Sequence, residues 1–531
     1  MLKKKKISLL LVATFISILV LSGCSYSSEE PGDQGKGGSA NSEYKNEIKI
    51  GLDVDAGTMD PRLANDSSGK RVNELVYDGL VRLSNSLEPQ PSLAEEWSNP
   101  DATTWIFNLR KDVTFHDGEP FTAEDVKYTF DKVLDPEFQA PFLVLYEPIE
   151  SIEVVDEHTV QFNLKQPYAP LLSYLDLGIV PKHIGEKDDN SLAGTPVGTG
   201  PYKMVKWDKN SKIAFEANES YWGGKSKTEK ITYFIIPDNT TRVASLESGD
   251  IDLVHSPLSP QDIERVKGND KFEVVEMEGL GYTYLNFNMQ GEWTSDVKVR
   301  QAISHIINKE VISKDIYRSM DTPALSPLLP ASWAYTEDVP VFEYNSEKSK
   351  ELFNEAGWED TDGDGFYDKD GKRFEITLST HSEDPNRIQT VEYLQNEFEK
   401  NGVKVEVLTN EWPTFSANMM EGNFDIALLG WLNLFDPDRA TYNQFYSGSG
   451  SNYGKYNNPK VDELLAAGRA SLEQDERKEI YKEIAQIVTE EVGYNVLLYQ
   501  GYVAMYNKNL EGFETYSNGS FYGLKDAVLT K

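Results

Sequence analysis

The sequence predicts an α/β protein of two or more lobes, with mixed sheets covered by helices. Stretches in which apolar and polar residues alternate, such as Thr104–Leu109, indicate half-buried strands. Longer stretches with helical periodicity, such as Ala123–Leu134, lie between them, and this alternation favours helix-covered sheets over a sandwich. Because a single core rarely exceeds about 250–300 residues, we expect the chain of 531 residues to form more than one lobe.

Individual elements follow from the same patterns and from end signals. Thr122 and Asp125 read as a capping box at the start of one helix, and Gly249, Gly357 and Gly402 end others. The predicted strands cover residues 47–52, 104–109, 152–155, 159–164, 230–236, 282–288, 374–380, 403–408 and 424–429. The predicted helices cover residues 69–82, 123–134, 240–248, 296–318, 346–356, 386–400 and 474–492.

The charge balance excludes nucleic acid as a partner. Lysine and arginine total 52 against 87 aspartate and glutamate residues, which gives a net charge of −35. Such a surface would repel a polyanion. A composition of 39% hydrophobic and 26% charged residues is nevertheless typical of a folded protein.

Residues 1–23 have the pattern of a lipoprotein signal peptide. Met1–Lys6 is basic, Ile7–Leu21 is apolar but shorter than the ~20 residues that span a bilayer, and small residues precede the only cysteine, Cys24. This order resembles the bacterial lipoprotein box. The resemblance implies cleavage before Cys24 and a lipid, with acyl chains such as palmitate, that anchors the protein on the extracytoplasmic face of the cell membrane. An ordinary secretory signal or a short anchor helix is the alternative.

Residues 24–46 are predicted to form a flexible linker. They are rich in glycine, serine, acidic and amide residues, and they contain too little apolar surface to order themselves. The folded part is therefore expected to begin close to Ile48.

Several distinctive motifs follow one another from Ile48 onward. They include Pro91–Trp97 (PSLAEEW), Phe115–Val126 (FHDGEPFTAEDV), Gly198–Tyr202 (GTGPY) and Val299–Ile303 (VRQAI). In type and order they resemble motifs of the extracellular solute-binding proteins of the peptide/nickel ABC transporter family. So many ordered motifs are a far stronger signal than any single one.

The resemblance implies a two-lobed, periplasmic-binding-protein-like clamp of three domains. Such a protein captures a solute and delivers it to a membrane permease with its ATPases, as a monomer and not as an enzyme. By analogy, the first lobe comprises residues 48–83, 195–282 and 498–531, an extra domain is inserted at residues 84–194, and residues 283–497 form the second lobe. Tyr282–Asn286 and Val496–Gln500 would connect the lobes, so that closure rotates about them.

In peptide-binding members of the family, an extended ligand pairs its backbone with segments of both lobes. The corresponding first-lobe segment here is Ala64, Asn65, Asp66 and Ser67. The second-lobe segment is Leu429, Gly430 and Trp431. For Trp431, ordinary core packing is the alternative.

The ligand's α-ammonium requires an acceptor. Several dipeptide and oligopeptide binders place an aspartate three residues after this tryptophan, but that position is Leu434 here. Asp436 and Asp438 are the nearest carboxylates, and we predict that one of them receives the ammonium. The alternative is that Asp436-Pro437 begins a turn and caps the following helix.

The segment 360–371 resembles a calcium-binding loop. Asp360, Asp362, Asp364, the carbonyl of Phe366 and Asp368 occupy its first five donor positions, with glycine at the sixth residue. The glutamate required at the last position is replaced by Gly371. Structural calcium is therefore a hypothesis, a Gly/Asp-rich turn is the favoured alternative, and no other cofactor is expected.

Peptide capture is the leading function among three. Within the same architecture, the alternative is a carrier of nickel, a metallophore or another small solute; a secreted hydrolase is the less favoured alternative. The six histidines lack metal-ligand spacing, and the chain has neither a Gly-x-Ser-x-Gly nor a His-Glu-x-x-His motif. The sequence thus favours a binding protein over an enzyme.

Overall fold

The computed structural model describes residues 44–255, 258–382, 384–434 and 436–531. The predicted signal peptide, the lipidation site Cys24 and most of the predicted linker lie outside these residues. The linker is predicted to extend to Asn46, but Tyr44–Lys45 already forms a strand that pairs with Leu529 and Thr530. Backbone hydrogen bonding to the end of the chain thus starts the folded part slightly earlier than composition indicates.

The described strands and helices follow the predicted alternation. The strands are β1 Tyr44–Lys45, β2 Glu47–Leu52, β3 Val81–Leu83, β4 Pro89–Pro91, β5 Ala94–Asp101, β6 Thr104–Leu109, β7 Ile149–Asp156, β8 Thr159–Leu164, β9 Tyr202–Asp208, β10 Lys212–Ala217, β11 Lys230–Ile235, β12 Leu253–His255, β13 Phe272–Phe287, β14 Thr322–Pro323, β15 Asp368–Lys369, β16 Lys372–Arg373, β17 Glu375–His381, β18 Lys404–Asn410, β19 Ile426–Leu432, β20 Tyr494–Asn507, β21 Leu510–Glu511 and β22 Val528–Thr530. The helices are α1 Ser67–Val76, α2 Ala123–Leu134, α3 Leu143–Tyr146, α4 Lys182–Gly185, α5 Asn239–Ser248, α6 Pro260–Lys267, α7 Val297–Ser304, α8 Lys309–Val311, α9 Ser346–Glu355, α10 Pro385–Lys400, α11 Trp412–Glu421, α12 Pro437–Phe445, α13 Pro459–Ala470 and α14 Gln474–Glu490. Within the described ranges, none of these helices is both long enough and apolar enough to cross a membrane.

One large mixed sheet is the frame of the molecule. Its strand order is β18-β17-β19-β13-β20-β12-β2-β11-β10-β9, and β14 pairs with β20 at its side. We call the part built on β2 and β9–β12 the first lobe, and the part built on β14 and β17–β19 the second lobe. Helices and their apolar faces cover the sheet in both lobes, as the sequence predicts.

Two long strands, β13 and β20, pass from one lobe to the other. Residues 272–278 of β13 pair with residues 501–507 of β20 in the first lobe, and residues 282–286 pair with residues 494–499 in the second. Between Glu278 and Tyr282 the pairing is irregular. A Cβ at Gly281 would lie 2.6 Å from the carbonyl oxygen of Trp431, so only glycine fits at this crossing. The connections that the family resemblance implies, Tyr282–Asn286 and Val496–Gln500, lie on these two strands, just after the irregular pairing on β13 and at it on β20.

A separate antiparallel sheet, β5-β6-β8-β7, lies within residues 84–194. Phe107, Phe130 and Phe162 pack edge-on in its core, with ring centroids 5.3–5.4 Å apart. Helix α2 covers this sheet and begins where the capping box predicts, because the carboxylate of Asp125 accepts the backbone N–H of Thr122 at 2.9 Å. The predicted inserted segment thus contains a sheet with its own core.

Two predicted helices are shorter than their patterns indicate. The helix predicted over residues 69–82 ends at Val76, because Tyr77 is extended and Gly79 packs directly on the backbone of Asp176. The helix predicted over residues 296–318 ends at Ser304, and the chain then turns at Asn308, whose side chain caps a new short helix. Contacts with distant residues and a local cap override the helical periodicity in these places.

A cleft between the lobes as the candidate binding site

A cleft of about 1250 Å³ lies between the two lobes and the inserted segment 84–194. This volume exceeds the roughly 300–1,000 Å³ of a typical small-molecule pocket. The predicted first-lobe segment Ala64–Ser67 lines it, whereas Leu429, Gly430 and Trp431 of the predicted second-lobe segment are not among its lining residues. Its lining includes residues of three regions: Ala64–Ser67, Lys70 and Glu74 from the first lobe, Phe142 and Asp176 from the inserted segment, and Asp321, Asp384, Leu432, Asn433 and Arg439 from the second lobe.

The first-lobe segment Ala64–Ser67 lines the cleft, but it is not a strand. Asp66 is the N-cap of α1, and its carboxylate accepts the backbone N–H groups of Gly69 at 2.7 Å and Gly57 at 3.1 Å. Ala64 is buried, whereas Asn65 and Ser67 are exposed to the cleft. The Asp66 side chain therefore holds the segment in place, and its neighbours are available to a ligand.

The second-lobe segment Leu429–Trp431 lies at the end of β19, with one open edge. On one side it pairs with β13. On the other side, the pairing with β17 ends at Ala427, so the rest of this edge has no strand partner among the described residues. The residues of this strand end that line the cleft itself are the next two, Leu432 and Asn433.

Trp431 contributes to packing as well as to this strand end. Its ring is stacked on the ring of Tyr453 with centroids 6.5 Å apart, and it is partly buried at the margin of the second-lobe core. Gly430 is closely approached, since a Cβ there would lie 2.5 Å from Nη2 of Arg387. The core-packing alternative for Trp431 is thus consistent with its surroundings.

The prediction that Asp436 or Asp438 receives a ligand ammonium is wrong. Both residues are 1% exposed, and neither lines the cleft. Asp436 accepts Arg477 Nη2 at 2.7 Å and Ser173 Oγ at 3.2 Å, and it caps α12 by accepting the N–H of Asp438. Asp438 accepts two bonds from Arg469, at 2.8 and 2.9 Å. Both carboxylates neutralise buried arginines. Asp436 also caps α12, as the alternative interpretation of the sequence predicts.

Asp176 is a carboxylate that the sequence analysis missed. It follows a short 3₁₀ helix of the inserted segment, lines the cleft, and has no ion-pair partner among the described residues. The walls of the cleft keep much of the surrounding water away from the Asp176 carboxylate. This burial raises the pKa of Asp176 to about 6, although the positive charges of Lys70 and Arg439 act to lower it. A single acid within the apolar run Leu171–Val180 is a signal that the sequence did offer.

The other charges of the cleft are largely engaged within the protein. Asp321 is 8% exposed and accepts the N–H of Gly501 at 3.0 Å, and burial raises its pKa to about 6. Glu74 accepts the N–H of Phe521 at 2.8 Å. Asp384 caps α10. The described cleft-lining residues include nine carboxylates and five cationic side chains, so the cleft favours a cationic group on its ligand.

The acidic loop lies away from the cleft, between α9 and β15. One carboxylate oxygen each from Asp360, Asp362 and Asp368 lies within 4.8 Å of the others. Asp364 instead pairs with Arg373, whose guanidinium also lies over the ring of Phe366. Three of the predicted donors thus come together, and calcium binding at this loop stays a prediction.

The family shows clearly in comparisons with known proteins. The profile of the bacterial extracellular solute-binding proteins, family 5 (middle), matches residues 88–453. The oligopeptide-binding protein AppA of Bacillus subtilis is 29% identical over the full length of both chains. Its structure with a nonapeptide aligns with a TM-score of 0.74 at 29% identity, covering 91% of this chain and 99% of that one.

Other relatives bind different solutes. The dipeptide-binding protein of Escherichia coli is 32% identical over 78% of this chain and 81% of its own. The structure of NikZ from Campylobacter jejuni in complex with Ni(L-His) aligns with a TM-score of 0.76 at 30% identity, covering 91% of this chain and 99% of that chain. The two-lobed clamp with its interlobe cleft is therefore shared by relatives of this chain, and the chain belongs to the family 5 extracellular solute-binding proteins, the non-enzymatic receptors of ABC importers.

Proposed function

We propose that this protein is a lipid-anchored receptor that captures oligopeptides on the extracytoplasmic face of the membrane for an ABC importer. The observation that supports peptides most directly is the size and character of the cleft. Its volume of about 1250 Å³ exceeds what a single amino acid or ion requires, and both lobes contribute to its walls. Beyond Ala427 the edge of β19 has no strand partner among the described residues, and this strand reaches the cleft at Leu432, where an extended chain would pair with it.

The nickel or metallophore alternative has less support from the side chains of the cleft. No histidine or cysteine is among its described lining residues, and these are the side chains that bind nickel best. A metal would therefore have to arrive with its own organic ligands. Peptides require no such addition.

For the ligand's α-ammonium we propose Asp176 as the acceptor, in place of Asp436 and Asp438. Asp176 faces the cleft and has no ion-pair partner among the described residues, whereas Asp321 is nearly buried and accepts the N–H of Gly501. An ammonium removed from water without an acceptor is costly. A charge-assisted bond at Asp176 would contribute about 1.5–3 kcal/mol, which corresponds to roughly tenfold to a hundredfold in affinity.

Calorimetry with one pentapeptide, in its free and N-acetylated forms, tests this proposal. Wild type should prefer the free form, the preference should vanish in Asp176→Asn, and it should persist in the matched cleft variant Asp321→Asn. If no peptide binds and a nickel–histidine complex does, the peptide function is contradicted. A preference that survives in Asp176→Asn would contradict only the assignment of the acceptor.

The lipid anchor and the domain division belong to the same proposal. Cys24 would attach the chain to the membrane, and the segment that follows it would let the clamp reach a permease and its ATPases. The three domains proposed are the first lobe, the inserted segment 84–194 and the second lobe. Mass spectrometry of the mature N terminus tests the anchor, since it should start at a lipid-modified Cys24.

A further inference from the structure

A second cavity, of about 350 Å³, lies in the second lobe and shares no lining residue with the cleft. It is located beside β20, at the point where β14 ends. Strand β14 pairs with Leu498 and Tyr499 of β20. The cavity lies against the preceding residues of β20, 494–496, which do not pair with β14. Its lining includes Ile307, Lys309, Phe342, Thr489, Asn495 and Val496.

The outer wall of this cavity, residues 340–344, is held at both ends. Just before it, the carbonyl of Asp338 accepts Gln486 Nε2 at 2.9 Å. At its far end, the ring Nδ1 of His305 is 2.8 Å from the carbonyl oxygen of Glu343, and the hydroxyl of Tyr344 donates to Glu397 at 2.9 Å. These hydrogen bonds attach the wall to neighbouring elements at both ends, so the fold of the second lobe defines the shape of the cavity.

Lys309 brings a positive charge into this cavity without a counter-ion. Its Nζ donates to the carbonyl oxygens of Ala324 at 2.8 Å and Val496 at 2.6 Å, and the described residues give it no carboxylate partner. Burial lowers the pKa of Lys309 to about 8, against the attraction of Glu310. An ammonium has three N–H donors, so one remains for a ligand.

Two further polar groups of the lining are buried without partners. Asn495 is 5% exposed and Thr489 is 7% exposed. Asn495 Nδ2 and Thr489 Oγ1 have no hydrogen-bond partner among the described residues. Buried donors are normally satisfied, and here an amide, a hydroxyl and an ammonium line one cavity. The acidic lining residues, Glu310 and Glu343, are exposed.

We propose that this cavity is a second ligand site, which takes a small carboxylate with a short aliphatic body. The carboxylate accepts from Lys309, Asn495 and Thr489, and so it supplies the missing counter-charge and the missing acceptor. The aliphatic body packs against the apolar part of the lining, where Ile307 and Val496 lie. The volume is at the lower end of the range for small-molecule sites.

The test uses isobutyrate as the probe and isobutyramide as its uncharged isostere. Methyl NMR of the full protein with labelled isoleucine and valine follows the signals of Ile307 and Val496 during titration. We expect saturable shifts with isobutyrate and at least about tenfold weaker binding of isobutyramide. A peptide that fills the cleft should not displace isobutyrate.

Variants separate this site from the cleft. Lys309→Met should weaken isobutyrate binding at least about tenfold, and Asn495→Leu, which keeps both carbonyl bonds of Lys309, should weaken it as well. Peptide affinity should stay unchanged in both. Equal binding of isobutyrate and isobutyramide, or unchanged isobutyrate binding in Asn495→Leu, overturns the proposal even if Lys309→Met fails to fold.

Discussion

Asp436→Asn should destabilise the protein strongly and leave ligand recognition unchanged. Asp436 is 1% exposed and accepts a 2.7 Å bond from Arg477. Asparagine preserves the helix cap but removes the charge, so Arg477 would be buried without a counter-ion. Loss of one partner of a buried ion pair costs about 3–5 kcal/mol. Because Arg477 keeps its bond to the carbonyl of Gly468 and its position over the Trp333 ring, we expect about 3 kcal/mol.

The assay is urea unfolding followed by tryptophan fluorescence, with Asp296→Asn as the matched control. Asp296 caps α7 through the same bond, to the N–H of the second residue after it, but it is exposed and in no ion pair among the described residues. Its replacement should change the free energy of unfolding by less than about 0.5 kcal/mol, because Asn and Asp are equivalent caps. The difference between the two variants isolates the buried pair.

Equal losses of stability in Asp436→Asn and Asp296→Asn would refute this reasoning. The double variant Asp436→Asn/Arg477→Met gives a second check, because removal of both charges should recover part of the stability that the single change loses. Calorimetry on Asp436→Asn should still show the preference for a free N terminus over an acetylated one. Loss of this preference in Asp436→Asn would show that Asp436 takes part in ligand recognition.

Three further outcomes are expected. Cys24→Ala should release the protein from membranes into the medium without changing its unfolding, and continued membrane retention would contradict lipid anchoring. If the acidic loop binds calcium, calcium should raise the melting temperature relative to chelator in wild type and in the control Asp370→Ala but not in Asp362→Ala; equal melting of wild type in calcium and chelator would show that the loop is only a turn, the favoured alternative. Since burial raises the pKa of Asp176 to about 6, the carboxylate is charged above that pH and protonated below it, so affinity for a free peptide should fall as the pH drops through 6. The acetylated peptide and Asp176→Asn should show a flatter profile, and parallel profiles for both peptides would contradict the assignment.

Local sequence signals predicted the bounds of an element correctly where residues close to its ends determine those bounds. Helix α2 has the predicted bounds, Ala123–Leu134, because its cap lies within three residues of its start. The helix predicted over residues 69–82 fails at Tyr77 because the backbone there packs on the inserted segment, nearly a hundred residues away in sequence. Tertiary contact, which periodicity does not encode, decides such an end.

The candidate site was predicted less completely, for a related reason. The segment Ala64–Ser67 was located from the resemblance, and it lines the cleft. Asp436 and Asp438 were misassigned because their arginine partners, 41 and 31 residues further along the chain, are not linked to them by any sequence motif. Asp176 was overlooked, although it is the single acid of an apolar run, because no local pattern indicates that the inserted segment reaches the cleft.

The pairing of the two ends of the described chain sets the order in which the two lobes can be completed as the chain is synthesised. Strand β1 pairs with β22, and β12, which lies next to β2, pairs with residues 504–506 of β20. The first lobe starts earlier in the chain, but it lacks these partners until β20 and β22 have been synthesised. Every strand of the second lobe's sheet is present once residue 499 has emerged. The lobe that is translated second is therefore the one that can fold first, and premature loss of the C-terminal residues leaves the first lobe with open strand edges.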